Sequence, residues 1–440
     1  MNKKKKISFI TLGCKVNQYE TDYMAQSLLD NGYLRTDLTA DTDFVIINSC
    51  TVTNEADRKT RQMIRRAKRT APDAKIIVTG CLSQVSPELI LPEVDYQAGN
   101  RAKTNMPQIL ESLENAETKA PPVFKKPDAY WLRKKELNMV LKRPGNQTRQ
   151  YLMVQEGCDR GCTYCKIFHA RGTTLNSKAP ETVIKEIKDL LARGVQEIVL
   201  TGINLGKYQY GQDNLADLIR KIDRIKDSFR IRLSSLDPDH VDAAIVETLK
   251  SDKVCPHLHL SIQSGSDSVL SRMNRGYTRS TVLKAVERLR RLNPLFSISC
   301  DIITGFPGET LQDFNETITL LEEIEPLKTH IFRYSPKKST PAANYEHQIN
   351  GKEKKRRAAQ LRNTTLQISK RVRKSHIAGK RSIIVEQFLN GTVHGHDDYY
   401  LNHICKTLRA YKPNNKLQAV IKGFPENDMQ DEVISVEYEG

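Results

Sequence analysis

The chain has 440 residues, 38% of them hydrophobic and 28% charged, with a formal net charge of +17. That length supplies two to four domains with buried cores, and no apolar run approaches the ~20 residues that a bilayer-spanning helix needs. The basic start Met1–Lys6 runs into a short strand rather than a secretory segment, so a cytoplasmic location is expected.

The charge is compatible with a solvated basic surface or with a polyanionic partner. Nine cysteines, an odd number with no export signal, argue for reduced thiols rather than a disulfide framework. The pattern along the chain separates into zones. In residues 1–125, strands are predicted at Ile7–Leu12, Phe44–Ile47 and Lys75–Thr79. Helices follow at Tyr19–Asp30, stopped by Asn31-Gly32, and from a cap at Asn54 to about Thr70. This β-α-β-α-β order predicts a doubly wound parallel α/β domain. Residues 126–147 read as a linker, within a Pro- and charge-rich stretch from Lys119 to Gly145. Residues 148–375 carry candidate strands at Tyr151–Gln155, Glu197–Thr201, Arg230–Ser234, His257–Ile262, Ser297–Ile303 and Thr329–Arg333. With helices between them, such as Pro180–Ala192 and Thr281–Leu292, they predict an open (β/α)6 partial barrel. A basic helix over about 352–374 ends this zone; from Lys352 to Arg381 there are twelve Lys or Arg against the single acid Glu353. Residues 376–440 hold short β-like runs at Ile383–Phe388, Thr392–Val393, Tyr399–Asn402, Leu417–Ile421 and Val433–Tyr438, which suit a small OB-like β-barrel.

Six cysteines carry the chemistry. Cys158, Cys162 and Cys165 stand as C-x3-C-x2-C directly after the first barrel strand. Three thiolates on a 4Fe–4S cubane leave one iron open, able to chelate S-adenosylmethionine and cleave it reductively. A zinc site or three unrelated thiols are the alternatives. Structural zinc normally takes four ligands, and no fourth Cys is near, although His169 is a conceivable ligand. Cys14, Cys50 and Cys81 each fall two or three residues beyond a predicted strand. In a parallel sheet those ends share one edge, so a second three-thiol site is expected there. Cys255, Cys300 and Cys405 show no such relation, and Cys300 reads as core.

These residues resemble the radical S-adenosylmethionine methylthiotransferase family. The resemblance rests on Thr11-Leu12-Gly13-Cys14-Lys15-Val16-Asn17-Gln18-Tyr19-Glu20-Thr21, Asn48-Ser49-Cys50-Thr51-Val52-Thr53 and Thr79-Gly80-Cys81. It extends through Leu200–Gly206, Arg232–Leu236, Leu260–Gly265 and Asp301–Thr310, and so covers essentially the whole chain. The run after Cys14 resembles the branch acting on N6-threonylcarbamoyladenosine at tRNA position 37. Branches acting on isopentenyladenosine or on a protein side chain remain alternatives, as does a non-catalytic metal-containing RNA-binding protein. The resemblance implies two 4Fe–4S clusters, S-adenosylmethionine, an N-terminal methylthiotransferase domain and a C-terminal TRAM-type RNA-binding barrel. It also implies an electron donor such as flavodoxin or ferredoxin. The implied chemistry is hydrogen abstraction at adenine C2 by a deoxyadenosyl radical, then arrival of a methylated sulfur there. Tyr164, Gly202, Asn204, Ser234, Gln263 and Asp301 are the implied cofactor-binding residues, and Asp301 could equally cap a turn. The loop Tyr334-Ser335-Pro336-Lys337-Lys338-Ser339-Thr340-Pro341-Ala342 departs from the family pattern, with Lys for Arg at 337 and Ser for Gly at 339. Lysine lacks arginine's bidentate fork.

Three basic segments are candidates for tRNA phosphates: Arg58, Lys59, Arg61, Arg65, Arg66, Lys68 and Arg69; Lys125, Lys126, Arg133, Lys134 and Lys135; and residues 352–381. Tyr399, Tyr400 and Tyr411 could stack on RNA bases or pack within the protein.

Overall fold

A computed structural model describes residues 4–86, 91–115, 137–425 and 432–437. The elements of the first part are β1 (Lys6–Thr11), α1 (Lys15–Asp30), β2 (Leu34–Arg35), β3 (Phe44–Ser49), α2 (Asn54–Thr70), β4 (Lys75–Gly80), α3 (Cys81–Val85), β5 (Tyr96–Gln97) and α4 (Met106–Glu114). They form an all-parallel sheet in the order β2-β1-β3-β4-β5. Strand residues alternate between its faces. Ile7, Phe44, Ile46 and Ile77 meet Met24 and Leu28 of α1 and Leu110 of α4 on one side. Val45, Ile47, Ile76 and Val78 meet Ile64 and Ala67 of α2 on the other. Helices thus cover both faces, the doubly wound arrangement expected. Three details differ from the sequence reading. The first helix begins at Lys15, four residues early, because Gly13 (φ +101°) turns the chain directly into it. The cap of α2 is Thr53, whose Oγ1 accepts from Ala56 N at 3.1 Å, rather than Asn54. Two-residue edge strands, β2 and β5, carry too little pattern to be seen in sequence.

The second part runs β6 (Arg149–Glu156), α5 (Ile167–Arg171), β7 (Asn176–Ser177), α6 (Pro180–Leu191), β8 (Glu197–Gly202), β9 (Gln209–Tyr210), β10 (Asp213–Asn214), α7 (Leu215–Asp223), β11 (Arg230–Leu233) and β12 (Ser235–Leu236). It continues with α8 (Ala243–Thr248), β13 (His257–Gln263), α9 (Asp267–Arg272), α10 (Arg279–Leu292), β14 (Ser297–Thr304), α11 (Leu311–Ile324), β15 (Lys328–Arg333) and α12 (Gly351–Ser375). Only Ser234 separates β11 from β12, and they are two halves of one strand. The first half pairs with β8 and the second with β13, both parallel. With β6∥β8, β13∥β14 and β14∥β15, six parallel strands follow one another in chain order, and β6 and β15 do not pair. This is the open (β/α)6 barrel. Cys300 is fully buried in its core.

Finally β16 (Lys380–Leu389), β17 (Thr392–His396), β18 (Asn402–Lys406), β19 (Lys416–Gly423) and β20 (Glu432–Glu437) close into a five-stranded barrel around Ile383, Val385, Val393, Cys405 and Leu417. The strand expected at Tyr399–Asn402 is instead a loop followed by β18. Tyr400 has φ +71°, which turns the chain out of the extended conformation, and the Asp397 carboxylate takes the Leu401 N–H at 2.8 Å. No helix among the described residues is long and apolar enough to cross a membrane.

Candidate active site

The loop from Gly157 to Lys166 joins β6 to α5 at the C-terminal end of the barrel strands. Gly157 (φ +85°) is obligatory in size, since a Cβ there would run into the Thr174 carbonyl. Cys158 N donates to Gly172 O (3.1 Å), Thr163 N to Met273 O (3.1 Å), and Ala342 N to Thr163 O (3.0 Å), so the loop is pinned at both flanks. Each of its three sulfurs receives an N–H donor: Asn204 Nδ2 to Cys158 Sγ at 3.8 Å, Arg275 Nη1 to Cys162 Sγ at 3.0 Å, and Ile167 N to Cys165 Sγ at 3.3 Å. Arg275 is itself fixed by an ion pair with Asp237 and by bonds to Ser261 O (3.0 Å) and Tyr277 Oη (2.9 Å). Burial pushes the Cys165 thiol up to about 12, so it ionises when a cation binds it.

The other triad is assembled by sheet register. Asn48 lies opposite both Thr11 and Thr79, and Ser49 opposite Gly80, which sets the ends of β1, β3 and β4 side by side. Cys14 precedes α1, Cys50 follows β3, and Cys81 opens α3. A Cβ on Gly13 would lie 2.7 Å from Cys50 Cβ and 2.8 Å from its sulfur. On Gly80 (φ +101°) it would lie 2.5 Å from Ser49 O. These glycines let the cysteine-bearing loops approach. Asn17 Nδ2 ties them, donating to Leu12 O (2.7 Å) and Ser49 O (3.0 Å). Cys50 is pushed up to about 12 by burial.

Each set offers three reduced thiols, which fits a cluster that leaves one iron open better than a structural zinc, which normally takes four ligands. His169 is exposed and stacks on Phe168 (4.0 Å), and it joins no metal-binding group among the described residues.

A buried ionic network lies between the triads, where α3 packs on α5. Arg171 is ion-paired with Glu20, its Nη2 reaching Glu20 Oε2 (2.9 Å) and Asn17 Oδ1 (2.7 Å), and its Nη1 Glu156 (3.1 Å). Lys103 also pairs with Glu20 and reaches Asn100 Oδ1 at 2.8 Å. Burial would raise the Glu20 carboxyl, but Arg171 and Lys103 outweigh it and hold it down at about 2. Burial pushes the Lys103 ammonium down against the pull of Glu20. The charge is anchored on the better hydrogen-bonded Arg171–Glu20 pair. A second buried bridge joins α1 to the barrel: Lys178 Nζ contacts Tyr19 Oη (2.8 Å) and Glu186 Oε2 (2.6 Å). Nothing in the sequence marked Arg171, Lys103, Lys178 or Arg275 among 69 basic residues. The spacing of Asn17, Tyr19 and Glu20 beside Cys14 was the available signal.

The remaining candidates spread through the barrel. Tyr164 packs edge-on to Phe306 (6.5 Å) and accepts from Arg275 at 3.4 Å. Gly202 lies against Gln155, whose Oε1 accepts from Asn204 N at 2.7 Å. The buried Ser234 Oγ, at the β11/β12 junction, has no hydrogen-bond partner among the described residues. Gln263 ends β13 with φ +72°. Asp301 sits in mid-strand, its Oδ2 3.1 Å from His259 Nε2 and beside His330. At the opposite mouth, the loop before β18 inserts Tyr400. It stacks on His257 (4.5 Å, 21°) beneath Arg149 and Arg232 (5.1 Å each). Tyr399 packs on His376 and accepts from Asn293 at 3.0 Å, and Tyr411 donates to Glu437 at 2.6 Å. Tyr399 and Tyr400 therefore serve packing between the two barrels. Lys337 reaches from the loop after β15 to Asp57 of α2 (2.7 Å) and is 4% exposed. Of the basic segments, Arg58, Lys59, Arg65, Arg66 and Arg69 line the exposed side of α2, whereas Arg357 and Arg373 of α12 are buried. Lys125, Lys126, Arg133, Lys134 and Lys135 lie outside the described residues.

Comparison with known proteins agrees with this layout. Residues 6–99 match the uncharacterized protein family UPF0004 and residues 152–321 the radical SAM superfamily. The threonylcarbamoyladenosine tRNA methylthiotransferase MtaB of Thermotoga maritima is 39% identical over 406 residues, covering 91% of each chain. That of Bacillus subtilis is 37% identical over 440 residues, covering 96% of each. A tRNA-2-methylthio-N(6)-dimethylallyladenosine synthase of a Ruegeria species is 33% identical over 414 residues, covering 91% of this chain and 92% of its own. In fold, the chain resembles the radical S-adenosylmethionine methyltransferase TsrM of Kitasatospora setae, with a TM-score of 0.59 at 16% identity over 78% of this chain and 77% of that one. The protein thus belongs to the radical S-adenosylmethionine tRNA methylthiotransferases, on the threonylcarbamoyladenosine branch.

Proposed function

We propose that this enzyme places a methylthio group on C2 of N6-threonylcarbamoyladenosine at position 37 of tRNA, giving 2-methylthio-N6-threonylcarbamoyladenosine. The observation that supports the reading is the packing of α3, which opens on Cys81, against α5, which follows the loop of Cys158, Cys162 and Cys165. When bound, a 4Fe–4S cluster on each set supplies, at the second, the electron that cleaves S-adenosylmethionine and, at the first, the place where sulfur is held. Asn204, Arg275 and the Ile167 N–H steady the three barrel thiolates. We assign Tyr164, Gly202, Asn204, Ser234, Gln263 and Asp301 to the binding of cofactor and adenine. Arg171 and Glu20 fix the separation of the two sets through paired charges. The exposed cations of α2 and of α12 (Lys352, Lys355, Arg356, Arg362) suit tRNA phosphates. The C-terminal barrel is assigned as TRAM-like. An unpaired anticodon-loop base enters the barrel at low cost. The reductant is expected to be a flavodoxin or ferredoxin, and the site of action the cytoplasm, where tRNA is.

Nucleoside mass spectrometry of tRNA from cells lacking the gene tests this. The methylthio-threonylcarbamoyl nucleoside should disappear, and its persistence in a cell without a second copy would refute the substrate. Loss of the methylthio-dimethylallyl nucleoside instead would favour the reading drawn from the Ruegeria relative. Reconstituted protein should absorb near 400 nm and hold roughly eight irons, whereas zinc alone would favour a non-catalytic RNA-binding protein.

A further inference from the structure

The segment Tyr334–Ala342, which follows β15, touches both halves of the site. Its two ends are set in one apolar cluster beside the barrel triad, where Tyr334 and Ala342 are buried with Met273 and Phe306 against the partly buried Tyr164. Ala342 N donates at 3.0 Å to the carbonyl of Thr163, which stands between Cys162 and Cys165. The tip of the segment leaves this cluster and reaches the N-terminal domain. Lys337 Nζ meets Asp57 Oδ2 at 2.7 Å, while Ser335 Oγ and the Pro336 carbonyl accept from Asn54 N and Nδ2 at 3.4 Å each. Asn54 and Asp57 stand three apart at the start of α2, on one helix face, and only Thr51, Val52 and Thr53 separate that helix from Cys50. One short strap thus runs from the loop of the barrel triad to the segment that carries Cys50.

The pair at its tip is enclosed. The side chains of Lys337 and Asp57 are 4% and 16% exposed, whereas the neighbouring Lys338 is exposed. Asp57 Oδ1 is buried with no hydrogen-bond partner among the described residues, so Lys337 is the one cation paired with this carboxylate there. Removing either charge strands the other in a poorly solvated place. The turn that presents Lys337 is closed by its own carbonyl, which accepts from Thr340 N at 3.0 Å and Thr340 Oγ1 at 2.7 Å, with Ser339 at φ +72°. A left-handed serine is uncommon, and here it aims the preceding lysine at α2. The Arg171 network holds the N-terminal domain to the barrel through α1; the strap holds it through α2, on the side of Cys50.

We propose that Lys337 is a positioning residue, whose pairing with Asp57 sets the Cys50 side of the N-terminal triad at its working distance from the barrel triad; this rests on the functional reading above. The test compares reconstituted wild type with Lys337→Gln, Asp57→Asn, the double variant and Lys337→Arg by two readouts. The first is amide hydrogen exchange, which needs no turnover. Both neutral variants should exchange faster at residues 51–57 and also at 162–166, and faster exchange confined to 51–57 would overturn the proposal. The second is methylthio product per 5′-deoxyadenosine on an anticodon stem–loop RNA carrying N6-threonylcarbamoyladenosine. That ratio should fall by about ten- to hundredfold, the effect of a misplacement of about 1 Å, while 5′-deoxyadenosine formation stays within about twofold. The double variant should be no worse than the poorer single one, because both remove one interaction, and Lys337→Arg should keep most of the ratio. An unchanged ratio, an equal fall in both products, or losses that multiply would overturn the positioning role alone, with wild type still modifying the RNA. Should Lys337→Gln fail to hold its iron, Asp57→Asn, which removes charge at constant volume, decides by the same readouts; loss of iron from both would show a structural pair and overturn it as well. Wild type that cleaves S-adenosylmethionine without modifying the RNA would overturn the functional reading and this role with it.

Discussion

The two cysteine triads reach similar ends by opposite routes. Cys158, Cys162 and Cys165 lie within eight residues, and the loop that carries them is held by hydrogen bonds to Gly172 O and Met273 O and from Ala342 N. Cys14, Cys50 and Cys81 span 68 residues and meet only because three parallel strands end in register, with Gly13 and Gly80 letting their loops close in. The first triad is a local motif set into a barrel. The second is a product of tertiary structure, and any disturbance of the N-terminal sheet should reach it first. Their charges differ as well. A guanidinium contacts a sulfur of the first triad, while the second shares its surroundings with the buried Arg171–Glu20–Lys103 network.

Removing one thiol from each triad should break the comparison most sharply. Cys162→Ser and Cys50→Ser should each cost more than about 10³-fold in methylthio transfer, since members of one catalytic unit are not separable. Each should lose about half of the iron. Only Cys162→Ser should also abolish 5′-deoxyadenosine formation. If Cys50→Ser abolishes it equally, the division of labour is wrong. Glu20→Gln comes next. It leaves Arg171 and Lys103 buried without their carboxylate, which should cost about 3–5 kcal/mol at pH 7. Because Glu20 is held at about 2 in the fold against 4.5 for the free group, its contribution is complete above about pH 4.5 and fades as pH falls towards 2. The stability gap between wild type and Glu20→Gln in denaturant melts should therefore narrow on acidification through that window. A gap independent of pH would show that the ion network is not its source. Gly80→Ala should cost about 1–3 kcal/mol through its positive φ and its clash with Ser49. Iron analysis should find the N-terminal site depleted and the barrel site intact. Equal depletion of both would deny the second triad its separate dependence on the sheet.

The same contrast explains what could be read from the chain. The spacing of Cys158, Cys162 and Cys165 needed no fold. Cys14, Cys50 and Cys81 became legible through the rule that parallel strands end on one edge, and their neighbourhood followed from three short apolar runs. The long periodic elements, such as α2, α12 and the six barrel strands, were visible because one face of each is apolar. The residues that join the parts were not. Arg171, Lys178, Arg275 and Lys337 find partners between 8 and 280 positions away, and nothing local distinguishes a buried arginine from a solvated one. Tyr399 and Tyr400 read as a strand because aromatics favour strands, yet contacts with His376 and His257 on neighbouring elements drew them into a loop.

The smallest expected effect concerns the charge beside the local triad. Arg275 donates to Cys162 Sγ at 3.0 Å while Asp237, Ser261 O and Tyr277 occupy its other positions, so the donor is held in place rather than free to rotate. A cluster gains negative charge on reduction, and a charge-assisted donor to one of its thiolates stabilises the reduced form more than the oxidised one. Arg275→Lys keeps the positive charge near Asp237 but cannot fill all five positions of the guanidinium fork. The midpoint potential of the barrel cluster should then fall by on the order of 60 mV, the equivalent of about 1.4 kcal/mol for one electron. A redox titration followed by electron paramagnetic resonance, in the Cys50→Ser background so that one cluster reports, would measure it. Arg171→Lys, titrated in the Cys162→Ser background, supplies the counterpart for the other triad. There the guanidinium is committed to Glu20, Glu156 and Asn17 rather than bonded to a sulfur, so the shift should be smaller. Equal shifts at both sites would mean that general field, and not the single N–H···S contact, sets the potential.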